Sequence, residues 1–428
     1  MEADSRLTFG KIRIEFRQAK GLLGFGFLQA VGQVCGMAAP LVAAKSLSQE
    51  IFGSYCLAKM VAFFFSTLFV GSLQTPFIVF ANQERAAGGK INNAFSVQCA
   101  LLGISSAAVV VLSAAFSRQI AAFADITAKD VVLVVLAFAG VSAKSLLCNV
   151  LLAMGHRMKN ATAELAFGLL TLFIVVLLDL FGAVTLRSVM AIYPVAGLSV
   201  VVLFVRRVDF SCLLPLRFEP RYWREMFDFA KWIVLGSTAV YFINWGDNLV
   251  LRVYVSMERI GSYNLAYQVF KGVLALVFVL YGYFLPFVSE HIDDRDKMNA
   301  YIRVKRPRIL ILGALVILTM YAAAPRVCAM VYGDRYPEAP AIFRTLSIGA
   351  LMMLHVILYA PVMNALKRYR FAQAGNVIQV VLNLMLDLVL VPRMGLQGAA
   401  VATSLAYAFH AGLVEVYFWT RLRKALDL

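Results

Sequence analysis

Five basic side chains lie inside apolar stretches that are long enough to cross a lipid bilayer. They are Lys59, Lys144, Lys231, Lys271 and Arg344. A Lys or Arg at the centre of a membrane costs roughly 2.5–3.5 kcal/mol on insertion scales, so each should face a partner or an aqueous cavity. An ammonium group that faces a cavity can bind phosphate oxygens as a point charge. The chemistry that these residues suggest is the binding of an anion inside the membrane.

The lysines differ in their depth within the predicted spans. Lys271 lies about eleven residues into its span and Lys144 about thirteen, which places both near the midplane. Snorkelling reaches the interface only from the last turns of a helix. For these two residues we favour a cavity over a buried ion pair. Lys59 lies about two turns inside its span, where a cavity and snorkelling are equally favoured.

The two remaining cations lie nearer the ends of their spans. Lys231 follows Asp228 by three residues, so an i,i+3 ion pair at the interface is favoured over a place in the cavity. Arg344 is near the outer end of its span, where a structural role is expected. The candidate residues for an anion-binding cleft are therefore the four lysines, Lys271, Lys144, Lys59 and Lys231.

Acidic residues within the spans are candidates for ion coupling. Intramembrane carboxylates can relay protons or bind Na⁺. Glu164, one turn inside its span, and Asp247, near the outer end of another, are the two coupling candidates. Asp179 and Asp387 are expected to be helix-end acids at the water interface. Apart from a coupling ion, H⁺ or Na⁺, no cofactor is predicted.

One predicted span carries a polar stripe at helical spacing. It consists of Gln373, Asn376, Gln379, Asn383 and Asp387. Such a stripe can line a hydrated cavity or can hydrogen-bond another helix. The sequence leaves these two possibilities open.

Motifs of hydrolytic and redox enzymes are absent from the sequence. It has no Walker loop, no HExxH and no GxSxG, and its four histidines are scattered. Metal sites need clustered ligands, and the six cysteines show neither ligand spacing nor a disulfide framework. We therefore predict no catalytic residue, no metal site and no enzymatic activity.

An internal repeat divides the chain into two halves. Ser48–Ala58 and Ser256–Ala266 share seven of eleven residues at an offset of 208. Pro-Phe pairs follow both copies, and Lys59 and Lys271 fall on equivalent helices, one turn apart in register. Both lysines can therefore point to the same side of their helices. Two related halves in an apolar chain indicate a transporter with a site between the halves.

Composition identifies the chain as a membrane protein. It is 61% hydrophobic and 15% charged, against about 45–50% and about 25% for soluble domains. Runs of about 20 apolar residues are read as helical spans. Twelve are predicted, at about 21–44, 52–81, 92–116, 131–153, 161–181, 188–205, 227–250, 260–287, 309–325, 339–363, 371–391 and 396–419.

The distribution of Lys and Arg predicts the orientation of the chain in the membrane. It also accounts for the net charge of +16, so the charge does not indicate binding of nucleic acid. With the N-terminus inside, 26 of the 40 lie on the cytoplasmic side, 9 on the other side and five within spans. This predicts N-in and C-in. The first twenty residues are polar and basic, so no cleavable signal is expected.

We predict an N-lobe (1–205), a cytoplasmic linker (206–226) and a C-lobe (227–428). The two lobes are expected to be related by an axis along the membrane normal.

Several stretches carry a resemblance to a known family. They are Asp247-Asn-Leu-Val-Leu, Glu258 with Gly261-Ser-Tyr263-Asn-Leu-Ala-Tyr267, Pro286-Phe-Val-Ser-Glu290, and Tyr336–Tyr407 with Ala341, Arg344, Asn364, Asn376, Asn383, Pro392-Arg-Met-Gly395 and Gly398-Ala-Ala-Val-Ala-Thr403. On these residues the chain resembles the polysaccharide-export flippases. These include O-antigen and related lipid-linked oligosaccharide flippases of the multidrug/oligosaccharidyl-lipid/polysaccharide superfamily. The resemblance implies an all-α integral membrane protein with twelve transmembrane helices in two six-helix lobes.

The resemblance also implies a function. It is the translocation of undecaprenyl-pyrophosphate-linked oligosaccharide across a bacterial inner membrane by alternating access, for surface polysaccharide biosynthesis. A polysaccharide polymerase and a chain-length regulator are partners that it allows. The alternatives are a multidrug/cation antiporter of the same fold, disfavoured by the mid-span lysines, and a peptidoglycan-precursor flippase, which typically has two further helices. A non-transporting scaffold for glycan enzymes would have no reason to bear buried charge.

Overall fold

The computed structural model describes residues 2–366, 368–423 and 426, with the backbone alone for 2–23, 221, 232, 286 and 369. Within these residues the chain is helical and contains no strand. Twelve helices are long and apolar enough to cross a membrane. The twelve predicted spans are thus confirmed, and we number them in chain order.

The spans extend beyond most of the predicted bounds because the helices continue into polar flanking sequence. Spans 1 to 12 are Gly24–Ser46, Gln49–Gly88, Asn92–Ala115, Ala128–Ala153, Arg157–Leu180, Leu186–Val205, Tyr222–Trp245, Met257–Glu290, Arg295–Arg335, Ala339–Ala365, Arg370–Met394 and Leu396–Leu422. The helix of span 1 begins at Glu2, and span 7 belongs to the helix Pro220–Trp245. Two short helices, Ser117–Ala124 and Asp247–Tyr254, follow spans 3 and 7.

Three spans contain π-helical turns. They are Thr67–Gly71 in span 2, Tyr301–Lys305 in span 9 and Phe418–Leu422 in span 12. Such turns insert a residue into the i→i−4 ladder and are common at functional sites. The first interrupts span 2 shortly before Pro76, which cannot donate to the helical ladder.

Small residues set the packing inside the N-lobe, spans 1 to 6. A Cβ on Gly32 of span 1 would lie 2.9 Å from the Leu165 backbone of span 5, and a Cβ on Gly168 would overlap the Gly32 carbonyl. Gly140 and Gly197 bring spans 4 and 6 together in the same way. Close backbone contact of this kind holds helices together where lipid offers no hydrophobic driving force.

The two copies of the repeat meet each other, and we call this the repeat contact. The backbones of Gly53 in span 2 and Gly261 in span 8 touch: a Cβ on Gly53 would overlap the Met257 carbonyl, and one on Gly261 would overlap the Gln49 carbonyl. Both glycines lie near the same end of their spans. We call the membrane side that carries most of the Lys and Arg the basic face. We call the other side, where both glycines lie, the opposite face.

Hydrogen bonds between the lobes reinforce the opposite face. Tyr332 and Tyr336 donate to the carbonyls of Leu41 and Ala44 at the end of span 1, at 3.1 and 3.0 Å. Arg252 donates to the carbonyls of Ala122 and Phe123, 2.8 Å each. In this conformation the opposite face is closed.

Candidate functional site

A cavity of about 1200 Å³ lies between the lobes. Its walls come from spans 2, 7, 8 and 11: Phe63, Thr67, Gly71, Phe229, Ile233, Leu235, Gly236, Ser237, Val240, Tyr241, Asn244, Trp245, Lys271, Arg370, Gln373, Ala374 and Val377. Phe229 and Arg370 lie at the basic-face ends of spans 7 and 11, so the cavity reaches that face. The repeat contact closes the other end. The cavity is thus open at the basic face and closed at the opposite face.

Lys271 is the lysine that the structure places in the cavity wall. Its Nζ lies 3.5 Å from the centroid of the Trp245 ring and 4.8 Å from that of Tyr267. No described carboxylate forms an ion pair with it. The aromatic faces stabilise the ammonium group by cation–π attraction. They carry no opposite charge, so an anion that enters the cavity could pair with the Lys271 ammonium group and would favour its charged form.

Lys59 lies directly behind the cavity wall. It is 8% exposed, and its Nζ sits over the rings of Tyr55, Phe63 and Tyr193 at 5.4–5.9 Å. Phe63 itself lines the cavity. Lys59 is close enough to Lys271 for the two charges to interact. The structure thus brings together the two equivalent lysines of the repeat, with one ring between Lys59 and the cavity.

Lys144 does not line the cavity. It is buried in the N-lobe, where its Nζ lies 2.8 Å from both carboxylate oxygens of Glu164 and 5.0 Å from the Phe167 ring centroid. The buried ion pair, the less favoured alternative in the sequence analysis, is the arrangement found. Spans 4 and 5 form a hairpin, which brings residues 20 positions apart to the same depth. Glu164, predicted as a coupling residue, is therefore engaged in an ion pair.

Lys144→Met alone is expected to lower thermal stability more than the double change Lys144→Met/Glu164→Leu. Removing one partner of a fully buried pair costs about 3–5 kcal/mol, whereas apolar replacement of both is often neutral. The Glu164 side chain is 33% exposed, so the single variant should lose about 2 kcal/mol. Unfolding of the purified variants in detergent measures this. Equal melting temperatures for the single and double variants would contradict a structural ion pair.

Lys231 and Arg344 also lie outside the cavity wall. Lys231 is exposed and forms the expected i,i+3 pair with Asp228 at 2.8 Å. Arg344 donates from Nε to the Tyr321 carbonyl at 3.1 Å, which joins span 10 to span 9. Both residues thus have contacts of the structural kind that the sequence favoured, and Lys231, a candidate for the cleft, does not line the cavity.

Asp247 lies at the centre of a buried polar cluster in the C-lobe, spans 7 to 12. Its carboxylate accepts hydrogen bonds from the hydroxyl of Tyr263, from Asn383 Nδ2 at 2.5 Å and from Thr403 Oγ1 at 2.8 Å. Asp387 joins through Asn383 Nδ2 at 3.0 Å. Its other oxygen, Oδ1, is buried with no described partner. The carboxylates of Asp247 and Asp387 and the hydroxyl of Thr403 thus lie in one hydrogen-bonded cluster, and oxygen groups of this kind can bind a hard cation or a proton.

The expectation for Asp387 was wrong. It is fully buried rather than at the water interface, because span 11 continues to Met394, two turns past this carboxylate. Asp179 lies near the end of its helix, where it accepts a hydrogen bond from Ser46.

The polar stripe of span 11 serves both of the purposes left open. At its basic-face end Gln373 lines the cavity. Deeper in the lobe Gln379 accepts from His410 across 2.7 Å, and Asn383 binds Asp247. The stripe thus runs from the cavity towards the Asp247 cluster, and its members change function with depth.

Sequence reasoning missed several wall residues. Arg370 was counted with the basic connection before span 11, and it lies at the mouth of the cavity. Tyr241 and Trp245 gave no signal because aromatic residues are common in any apolar span. Their roles depend on how span 7 is rotated about its axis, which the sequence does not specify.

Comparisons with known proteins agree with this architecture. A sequence model described as polysaccharide biosynthesis protein matches residues 42–341, more than half of the chain. The chain belongs to this polysaccharide biosynthesis family. Two relatives from the archaeon Haloferax volcanii support the assignment. The probable low-salt glycan biosynthesis flippase Agl15 is 23% identical over 196 residues, and the probable flippase AglR is 23% identical over 232 residues.

The matched segments span less than half of each relative: 42% of Agl15 and 46% of AglR, against 45% and 53% of this chain. Two solved structures share the fold over almost the whole chain. The lipid II flippase MurJ, in an inward closed conformation, has a TM-score of 0.72 at 14% identity and covers 92% of this chain and 87% of its own. An inward-facing multidrug resistance MATE transporter of the MOP superfamily has a TM-score of 0.71 at 13% identity, covering 93% and 95%. The fold of this polysaccharide biosynthesis protein is that of MurJ and the MATE transporters.

Proposed function

We propose that this protein flips undecaprenyl-pyrophosphate-linked oligosaccharide across a bacterial inner membrane for the biosynthesis of a surface polysaccharide such as O-antigen. The observation that carries the proposal is Lys271, a cation without a counter-charge in the wall of a cavity open to the basic face. Its charge, with that of Lys59 behind it, suits a pyrophosphate. Such a protein is a transporter and not an enzyme.

The remaining parts of the substrate fit other parts of the cavity. Asn244, Ser237 and Gln373 supply hydrogen-bonding groups for sugar hydroxyls, and Trp245 and Tyr241 supply aromatic faces. Arg370 at the mouth adds a second positive charge on the path inward. The lipid tail would remain in the bilayer, as it does not need to leave an apolar medium.

Alternating access would move the substrate between leaflets. The repeat contact closes the opposite face, and separation of spans 2 and 8 at that contact would open it. With N-in orientation, the cavity faces the cytoplasm in the present conformation. The lobes would then rock about the bound pyrophosphate, which is the mechanism expected of two related halves around a central site.

A reconstituted flipping assay tests the proposed function. The purified protein is placed in liposomes with undecaprenyl-pyrophosphate oligosaccharide in one leaflet, and its appearance in the other is followed with an impermeant glycosidase. We expect flipping that exceeds that of empty liposomes and competition by unlabelled lipid diphosphate. Transport of organic cations against a gradient, without flipping, would support the multidrug antiporter instead.

We infer that Asp247 is the ion-coupling residue, since Glu164 is held by Lys144. Two buried carboxylates in one cluster cannot both stay ionised without a shared proton or a cation. The unpartnered Oδ1 of Asp387 and the Thr403 hydroxyl leave oxygen ligands of the kind that Na⁺ prefers. Binding there would bias the packing of the short helix after span 7 against spans 11 and 12, and span 11 also lines the cavity.

Asp247→Asn is expected to remove the dependence of flipping on an ion gradient. Amide substitution keeps the shape of the side chain and removes the charge that would bind Na⁺ or a proton. Flipping is measured with Na⁺ and pH gradients imposed separately, and Asp228→Asn, an equal change at an exposed ion pair, is the control. Unchanged gradient dependence in both Asp247→Asn and Asp387→Asn would overturn the coupling site.

A further inference from the structure

A second buried charged cluster lies in the C-lobe, away from the cavity wall. It joins three spans: Arg306 of span 9, His355 of span 10 and Glu415 of span 12. His355 Nε2 lies 2.7 Å from Glu415 Oε2, and Arg306 Nη2 lies 3.0 Å from His355 Nδ1 and 3.4 Å from Glu415 Oε2. Arg306 is 8% exposed. None of these residues lines the cavity or touches the Asp247 cluster.

The hydrogen bonds fix the protonation state that this arrangement can hold. A guanidinium group can only donate, and Arg306 Nη2 lies nearer to His355 Nδ1, at 3.0 Å, than to His355 Nε2, at 3.3 Å. We therefore assign Nδ1 as the acceptor. The ring then carries its one proton on Nε2, which donates to the Glu415 carboxylate. In this state the histidine is neutral and the cluster has no net charge. A second proton could enter only at Nδ1, where it would face the N–H of Arg306.

The surroundings of Arg306 allow it to move. Its guanidinium stacks on the Tyr359 ring, 3.7 Å from the centroid, and its Nε is buried with no described hydrogen-bond partner. It directly follows the π-helical turn Tyr301–Lys305, in which Arg303, Val304 and Lys305 are exposed. A small shift towards the basic face would therefore bring Arg306 into water.

Other basic side chains near the cluster lie against aromatic rings or are exposed. Lys305 lies over the Phe287 ring at 4.0 Å, Arg423 lies over the Trp419 ring at 5.0 Å, and Arg308 is exposed. Trp419 Nε1 donates to Glu415 Oε1 at 2.7 Å, which fixes the second carboxylate oxygen. Arg306 and Glu415 are the two charged side chains that hydrogen-bond His355 among the described residues, and the Tyr359 ring lies edge-on to the imidazole with the centroids 5.4 Å apart.

We propose that Arg306, His355 and Glu415 form a proton-binding site at which uptake of a proton by His355 releases Arg306 from span 10. Histidine is the side chain whose charge changes most readily near neutral pH, which suits it to such a switch. Above the titration midpoint the neutral ring holds Arg306, and spans 9, 10 and 12 are joined. Below the midpoint the positively charged imidazolium still binds the Glu415 carboxylate, but it repels the guanidinium group of Arg306. The site is separate from the Asp247 cluster and would make span 9 responsive to pH on the basic face.

Nuclear magnetic resonance of the histidines tests the binding site without using the transport activity. The chain has four histidines, so protein labelled at His Cε1 in nanodiscs gives few signals, and His355→Gln identifies the relevant one. We expect that signal to titrate between pH 5 and 8.5. Glu415→Gln should weaken proton binding about tenfold and Arg306→Gln should strengthen it about tenfold, since a tenfold change corresponds to one pKa unit.

General loosening of the lobe would shift the titration midpoint of His355 in the same direction in both variants. Shifts in opposite directions therefore indicate a proton-binding site. The His410 signal, from a buried histidine bonded to Gln379, is the internal control and should be unchanged in both variants. A His355 signal that does not titrate, or that has one midpoint in all variants, would overturn the proposal. Should Arg306→Gln fail to fold, Glu415→Gln together with the hydrogen exchange of the wild type and of His355→Gln decides it.

Hydrogen exchange of residues 301–310 tests the release of Arg306. After correction for the intrinsic pH dependence of exchange, protection in the wild type should be about tenfold lower at pH 5.5 than at pH 8. His355→Gln should remove this difference, and the matched control His410→Gln should keep it. Equal protection at both pH values in the wild type would show that protonation does not release the segment.

Discussion

The Lys271→Ala variant is expected to flip undecaprenyl-pyrophosphate oligosaccharide at least tenfold more slowly than the wild type. A hydrogen bond to a charged group contributes about 1.5–3 kcal/mol, which corresponds to about a 10–150-fold change in affinity. Lys271 is unpaired and lines the cavity. Initial flipping rates at subsaturating substrate measure the loss.

The exposed residue Lys231 supplies the matched control for this prediction. Lys231→Ala removes the same charge from a neighbouring span, but its ammonium group is already paired with Asp228 outside the cavity. Its flipping rate should stay within about twofold of the wild type, because surface ion pairs contribute little. Normal flipping by a folded Lys271→Ala protein would leave the proposed function standing and would contradict the pyrophosphate site.

Gly261→Ala is expected to shift the protein towards conformations that are open at the opposite face. The added Cβ would overlap the Gln49 carbonyl of span 2, and that backbone cannot give way without separating the spans. Overpacking costs about 1–3 kcal/mol, which shifts a two-state equilibrium about 5–150-fold. Electron–electron distances between spin labels at Lys129 and Asp334, in a background without cysteine, measure the separation of the lobes there.

Gly103→Ala provides the control for this shift. Gly103 lies on span 3, and a Cβ there meets nothing within 4 Å, so the distance distribution should match that of the wild type. Gly53→Ala, on the other side of the repeat contact, should reproduce the effect of Gly261→Ala. An unchanged distribution in both repeat-contact variants would mean that this contact does not govern the opening.

The predictable part of the structure follows from local composition. Each span is a continuous apolar run, and a membrane forces such runs to be helical, so twelve helices could be counted from the sequence. The repeat could also be found from the sequence, because its two copies share seven of eleven residues. Lys271 could be predicted as a cavity residue because its depth excludes snorkelling. None of these inferences needs knowledge of which helix faces which.

The predictions that were wrong depended on how each helix is rotated about its axis and on where each helix ends. Lys144 lies as deep in its predicted span as Lys271 does, but its side chain points towards Glu164 on a neighbouring helix. Asp387 was expected at the water interface four residues before the predicted end of span 11, and span 9 was predicted to begin at about residue 309, after Arg306. Both spans extend further, to Met394 and from Arg295. A shift of one or two turns moves a charged residue from the interface to the interior, and hydropathy alone does not resolve such a shift.

The repeat contact also has a bearing on how the two halves arose. Residues that are equivalent in the two copies, Gly53 and Gly261, lie against each other, as they would across the twofold axis of a symmetric dimer. An even number of spans in each half leaves its two ends on the same side of the membrane. A six-span ancestor could therefore have paired through this surface as a homodimer, and tandem duplication would have required only a short joining segment on one side. A substitution at either glycine after the duplication would alter only one half of an interface that had been self-complementary.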